Sequence, residues 1–111
     1  RLGAMVVTSG NVFSNESATL GQVCARHAVP VIGADRDFAR AGGLMSYGTD
    51  LTEAYRRVGV CAARILSGEE PGVLPVQQST KVEFVINLKA AKTLGVKIPS
   101  GLLAIAHEVI V

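Results

Sequence analysis

The chain has no concentrated block of charge, no long hydrophobic run and no spaced set of cysteines and histidines. Its net charge is only +2, and the basic residues are dispersed. Arg56-Arg57 is a bare pair, and Lys81, Lys89, Lys92 and Lys97 are strung along the tail without interleaved aromatics. A nucleic-acid-binding face needs a denser basic footprint, so nucleic acid is not an expected partner. No stretch approaches the roughly 20 apolar residues of a membrane span. Cys24 and His27 lack a second spaced pair to complete tetrahedral ligation, and no metal site or cofactor is expected. The two cysteines, Cys24 and Cys61, each fall on the apolar side of a predicted helix and read as free core thiols. A disulfide between them would need a geometry that spacing does not supply. Neither cysteine has a base evident beside it, so covalent catalysis has no support. His27 reads as a helix C-terminal residue, and pairing it with His107 as base and partner would require a pocket.

Nearly half of the residues are apolar, enough for a buried core and against disorder. With 111 residues the chain fits one small domain and not two α/β domains of ordinary size. It opens at Arg1-Leu2-Gly3 without methionine, as a processed or excised piece would.

Apolar runs and turn residues alternate along the chain. Residues 4–7 read as a buried strand ended by the turn Thr8-Ser9-Gly10-Asn11. Ser14 or Asn15 can cap the following helix, with Leu20, Val23 and Cys24 on one side. Residues 30–34 form a second strand, then a short helix over 35–40 is anchored by Phe38 and stopped by Gly42-Gly43. Residues 44–47 make a third strand. Asp50 caps the strongest helix, and Glu53 completes a capping-box pattern. Leu51, Ala54, Tyr55, Val58, Cys61, Ala62, Ile65 and Leu66 form its apolar stripe, and Gly59 allows close packing. Residues 72–80 read as a linker and 82–88 as a fourth strand. A short helix over 89–94 is stopped by Gly95, a last helix runs from Pro99 or Ser100 to about His107, and residues 109–111 are an apolar tail that must dock or pair. The class is α/β with parallel strands. A sheet this thin exposes apolar edges, so a missing partner is expected, either more of the same polypeptide or a second copy.

The segment Gly42-Gly43-Leu44-Met45-Ser46-Tyr47-Gly48-Thr49-Asp50 places a short apolar strand, hydroxyl groups and a glycine turn directly before a helix. Such a segment can hold a small polar ligand or serve as a plain strand-to-helix turn. Together with Ala54-Tyr55-Arg56-Arg57, Ile65-Leu66-Ser67-Gly68 and Leu74-Pro75-Val76-Gln77-Gln78, it resembles the C-terminal part of ABC-transporter substrate-binding proteins of the tryptophan and tyrosine type. The resemblance extends through Lys81-Val82-Glu83-Phe84-Val85-Ile86-Asn87-Leu88-Lys89-Ala90-Ala91-Lys92-Thr93-Leu94-Gly95 to Ile98-Pro99 and Leu102-Leu103.

That resemblance implies an extracytoplasmic bacterial origin, periplasmic or membrane-associated outside the cell. It implies two Rossmann-like lobes that close on a small solute and deliver it to an ABC permease, without catalysis. Residues 1–75 would form part of the second lobe. Residues 76–111 would return through the hinge as a strand and helices of the first lobe, and so lack their usual bed here. Self-association through residues 83–88 and 100–111 is therefore expected. The first lobe and the opening strands of the second would be absent.

The resemblance and strand-end physics select the same ligand wall: the loop from Ser9 to Phe13, Asp35-Arg36, and Ser46 to Thr49. Asn11 can offer an amide to a solute or make a local turn bond. Ser46 and Thr49 can donate hydroxyls, and Phe13 or Tyr47 can stack on the solute or join the core. Asp35 and Arg36 can contact ligand, pair with each other or face water. Two other functions stay open. One is a ligand-sensing regulatory domain on the same fold. The other is an α/β enzyme domain binding a phosphorylated small molecule near Gly42-Gly43 and Gly48, although no Walker loop and no GxGxxG follows the first strand.

Overall fold

A computed structural model describes residues 3–111; Arg1 and Leu2, and the expectations that touch them, lie outside the described residues. The elements in chain order are β1 (Met5–Val6), α1 (Asn11–Asn15), α2 (Ser17–Arg26), β2 (Val31–Gly33), α3 (Arg36–Arg40), β3 (Met45–Thr49) and α4 (Leu51–Leu66). A 3-10 turn (Pro71–Val73) follows, then β4 (Val82–Asn87), α5 (Leu88–Leu94), α6 (Ser100–Ile105) and β5 (Glu108–Ile110). No described helix is long and apolar enough to cross a membrane.

The chain divides into two compact units. One combines the chain up to Gly48 with Val82–Val111, and the other is Thr49–Lys81. The sheet has the strand order β1-β2-β3-β4-β5. Residues 82–87 fill its interior, where Phe84, Val85, Ile86 and Asn87 are all buried.

Strands β1, β2 and β3 run parallel, with Val6 opposite Ile32 and Gly33 opposite Ser46. β4 departs from the expected parallel pairing. The Asn87 N–H at the end of β4 donates to the carbonyl of Leu44 just before β3, at 2.9 Å. The Tyr47 ring packs on Phe84. Residue numbers rise on one strand as they fall on the other, so β3 and β4 are antiparallel. β5 then pairs parallel to β4, Val85 opposite Glu108 and Asn87 opposite Ile110. The apolar tail thus docks as a strand, and the last helix stops at Ile105 rather than His107. Strand β4 thus has a neighbour on each side, β3 and β5. Within this unit β5 closes one end of the sheet and β1 the other.

The core of this unit gathers Cys24, Val31 and Phe38, with Met5, Val7, Leu20 and Val29 against them. Phe38 anchors α3 as expected because Gly43 leaves it room: a Cβ there would overlap the ring. Gly42 stops α3 at φ 130°, a left-handed conformation that suits glycine. Helix α1 starts earlier than predicted, at Asn11, and α2 begins anew at Ser17 after the break at Glu16. Asn87 Oδ1 caps α5 by accepting from the Ala90 N–H at 2.9 Å, and Gly95, at φ 70°, ends it.

In the second unit, Asp50 caps α4 as predicted, its Oδ1 accepting from the Glu53 N–H at 3.1 Å. The reciprocal half of the capping box is not made, because the Glu53 carboxylate is taken by Arg56 at 2.7 Å and Arg57 at 3.2 Å. Asp50 also meets Lys81: its N–H donates to the Lys81 carbonyl at 3.1 Å, and the Lys81 ammonium lies 3.3 Å from its Oδ2. The outgoing and returning chains are thereby pinned side by side. The apolar stripe of α4 is where expectation and structure part: none of its 16 residues is buried.

Candidate functional site

Parallel strands send their following loops to one edge, and the registers of β1, β2 and β3 place three of them there. The loop after β1 leads into Asn11 and Phe13, both exposed on α1, where no side-chain hydrogen bond caps the helix. The loop after β2 is Ala34-Asp35, with Asp35 half-buried ahead of α3. The carboxyl end of β3 approaches it so closely that a Cβ at Gly48 would overlap the Ala34 carbonyl oxygen. Glycine at 48 therefore sets the distance between the second and third loops.

Because β4 runs antiparallel to β3, its amino end reaches this edge. Glu83 there lies 3.5 Å from the Arg36 guanidinium. Arg36 pairs with Glu83, not with Asp35. Nothing in the linear sequence signalled Glu83 as a neighbour of this edge, because that depends on strand order and direction.

Strand β3 separates residues that the sequence reading grouped. Alternation along a strand sends successive side chains to opposite faces. Ser46 is 1% exposed, whereas Tyr47 is 60% exposed and Thr49 is also exposed. Tyr47 leans edge-on against Phe84, centroids 6.0 Å apart. Ser46 thus lies within the sheet, away from the face that carries Tyr47. Thr49 ends β3 and is the first residue of the second unit.

Other chemistry-bearing residues are committed elsewhere. The main-chain N–H of His107 donates to the Phe84 carbonyl at 2.8 Å, and its ring Nδ1 accepts the Phe84 N–H at 3.0 Å, so the imidazole is held along the sheet. His27 caps the C-terminus of α2, as the sequence suggested. Both cysteines are free; Cys24 is buried, and burial raises its thiol pKa, while Cys61 is half-buried on α4. Among the described residues no group of three or more His, Cys, Asp or Glu side chains gathers as a metal site.

A cavity of about 260 Å³ opens beside Ala25, Arg40, Gly42, Asn87, Lys89 and Leu94. These residues flank the amino end of β3 and the carboxyl end of β4, so the cavity sits at the edge opposite the three loops. Its main polar groups are already paired, Asn87 with Ala39 and Ala90, and Arg40 with Glu108 at 3.0 Å.

The chain matches the family model for ABC transporter substrate binding proteins over residues 2–110. Among solved structures it is similar to an ABC domain in complex with L-Trp from Streptococcus pneumoniae, with 26% identity and a TM-score of 0.85 over 99% of this chain and 38% of that one. A conserved domain protein from Vibrio cholerae shares the fold at 22% identity and TM-score 0.71, over 96% of this chain and 54% of that one. So does the ligand-free, open form of a substrate binding protein with adhesive properties from Clostridium difficile, at 24% identity and TM-score 0.61, over 95% of this chain and 35% of that one. This chain thus spans little more than half, or less, of each of these proteins. Among curated proteins none matches it in sequence.

Proposed function

Because the chain belongs to the ABC transporter substrate binding protein family, we propose that it supplies one wall of a binding site for a small amino-acid-like solute. The parent protein captures that solute outside the cytoplasm and passes it to an ABC permease without chemical change. The observation that carries this reading is the likeness, over 99% of the chain, to a domain with L-Trp bound. The wall is the edge where the loops after β1, β2 and β3 converge. Asn11 offers its amide to a carboxylate or carbonyl, Phe13 and Tyr47 offer aromatic surface, and Asp35 offers a carboxylate to an ammonium group. Thr49, at the end of β3, adds a hydroxyl donor. Ser46 supports the strand from within. A wall of this kind can also serve a sensor, but a family defined by transport receptors favours delivery to a permease.

The test is calorimetric titration of the full-length parent protein with L-tryptophan and then the other amino acids. One of them is expected to bind, and Asn11→Ala is expected to weaken that binding while leaving the unfolding temperature in place. Absence of binding across the whole panel, or an Asn11→Ala variant with native affinity, would overturn this reading.

A further inference from the structure

We propose that Glu83 is a positioning residue for the solute wall: it holds the Arg36 guanidinium away from Asp35 and so leaves the Asp35 carboxylate open to the solute. The inference rests on the wall proposed above and adds to it a residue that acts through another. Asp35 stands at the N-cap of α3, where an aspartate ordinarily accepts a hydrogen bond from the first helical turn. Here it makes no such bond. Among the described residues its carboxylate has no ion pair or side-chain hydrogen bond with any other group. The cation nearest to it in the sequence is the next residue, Arg36. That guanidinium is turned instead to Glu83, 3.5 Å away on β4, although β3 lies between β2 and β4 in the sheet.

Helix α3 has five residues, too few to hold a helical turn on propensity alone, and its side-chain cap is unused. Contacts with β4 hold it at both ends. Glu83 and Asn87 lie an even number of positions apart on that strand, so alternation sends both side chains to the face that carries α3. The Asn87 amide donates to the Ala39 carbonyl near the end of the helix, and Glu83 takes Arg36 at its start. The Glu83 side chain is 18% exposed against 38% for Arg36, so the carboxylate is the sheltered and fixed half of the pair. At 3.5 Å the contact is one of charge rather than a close hydrogen bond, and loss of the Glu83 charge alone releases the guanidinium. A released guanidinium beside an uncommitted carboxylate pairs with it. Asp35 would then be closed to an ammonium group on the solute.

The test compares the full-length protein with Glu83→Gln, which keeps the shape and drops the charge, and with the double variant Glu83→Gln, Arg36→Met, which also removes the cation. In the solute-free proteins, the carbon-13 carboxyl resonance of Asp35 is expected to shift in Glu83→Gln and to return toward its native position in the double variant. In calorimetric titration with the amino-acid panel, Glu83→Gln is expected to bind about fivefold more weakly, and the double variant to recover to within about twofold of the native protein. A tether that only stabilised the fold would give no such rescue. A double variant as weak as Glu83→Gln would therefore overturn the inference, as would native affinity in Glu83→Gln. An Asp35 resonance unmoved by Glu83→Gln would overturn it whether or not any amino acid binds. Native protein that binds no amino acid while the resonance shifts and returns would overturn the solute reading and still uphold the hold of Glu83 on Arg36.

Discussion

The side-chain amide of Asn87 donates to the main-chain carbonyl of Ala39 at 2.8 Å, across 48 residues of sequence. The same side chain accepts from the Ala90 N–H, and the Asn87 main-chain N–H donates to Leu44. One buried residue thus ties the end of β4 to α3, to the start of β3 and to the first turn of α5. Removing it leaves buried main-chain groups unpaired, which costs about 1–3 kcal/mol. Asn87→Ala is expected to lower stability by that amount in urea unfolding. Asn87→Asp keeps the acceptor for Ala90 but sets an oxygen against the Ala39 carbonyl, so it is expected to do no better than alanine. Native stability in either variant would remove Asn87 from this role.

Gly48 makes the second prediction. Its constraint is space, since the atom that an added Cβ would strike is the Ala34 carbonyl oxygen, and main chain cannot swing aside as a long side chain does. Gly48→Ala is expected to push β3 away from the loop after β2 and to destabilise the protein by about 1–3 kcal/mol. Asp35 lies in the loop after β2 and Tyr47 on β3 itself, so solute affinity in the full-length protein is expected to fall with it. Calorimetric unfolding and titration of one preparation check both effects. A Gly48→Ala variant with unchanged melting and affinity would show that the strands part freely.

What could be read from the sequence was local. The Asp50 cap, the Phe38 anchor and the Gly95 stop each depend on a few adjacent residues, and each stands where spacing placed it. The strand order was not local. Nothing in residues 82–87 says that they pair with β3 in reverse, so Glu83 could not be seen beside Arg36. The face that each residue of β3 takes was not read from the sequence either. Ser46, Tyr47 and Thr49 look equivalent as a polar cluster, yet alternation buries the first and exposes the other two. The stripe on α4 was legible as apolar, but a sequence pattern records that a face wants burial and not which part of the molecule buries it.

Glu53 sets a pH dependence for α4. Its hydrogen bond from Arg56, and secondarily that from Arg57, holds its carboxyl down at about 2. An unfolded glutamate titrates near about 4.3. A depressed folded-state value means that the contribution is complete above the unfolded value and is lost as pH falls from there through about 2. The helical signal in circular dichroism is therefore expected to weaken across that window. Glu53→Gln should flatten the dependence, and added salt should shrink it, because the pairs are exposed. A Glu53 carboxyl that titrates by NMR at the ordinary glutamate value would contradict the pairing.

Tyr47 and Ser46 separate ligand contact from support. They are neighbours on β3, yet one is largely exposed beside Phe84 and the other is inside the sheet. If the exposed face of β3 forms part of the solute wall, losing the Tyr47 ring removes aromatic contact of about 0.5–1.5 kcal/mol and the apolar surface that goes with it. Tyr47→Ala in the full-length protein is then expected to weaken amino-acid binding by about tenfold, with little change in unfolding temperature. Ser46→Ala is expected to do the reverse, shifting stability while leaving affinity within about twofold. Titration and calorimetry of the two variants side by side distinguish the roles. Were Ser46→Ala to lose binding at native stability, the solute would have to reach the inner face of β3, and the wall would be drawn on the wrong side of the strand.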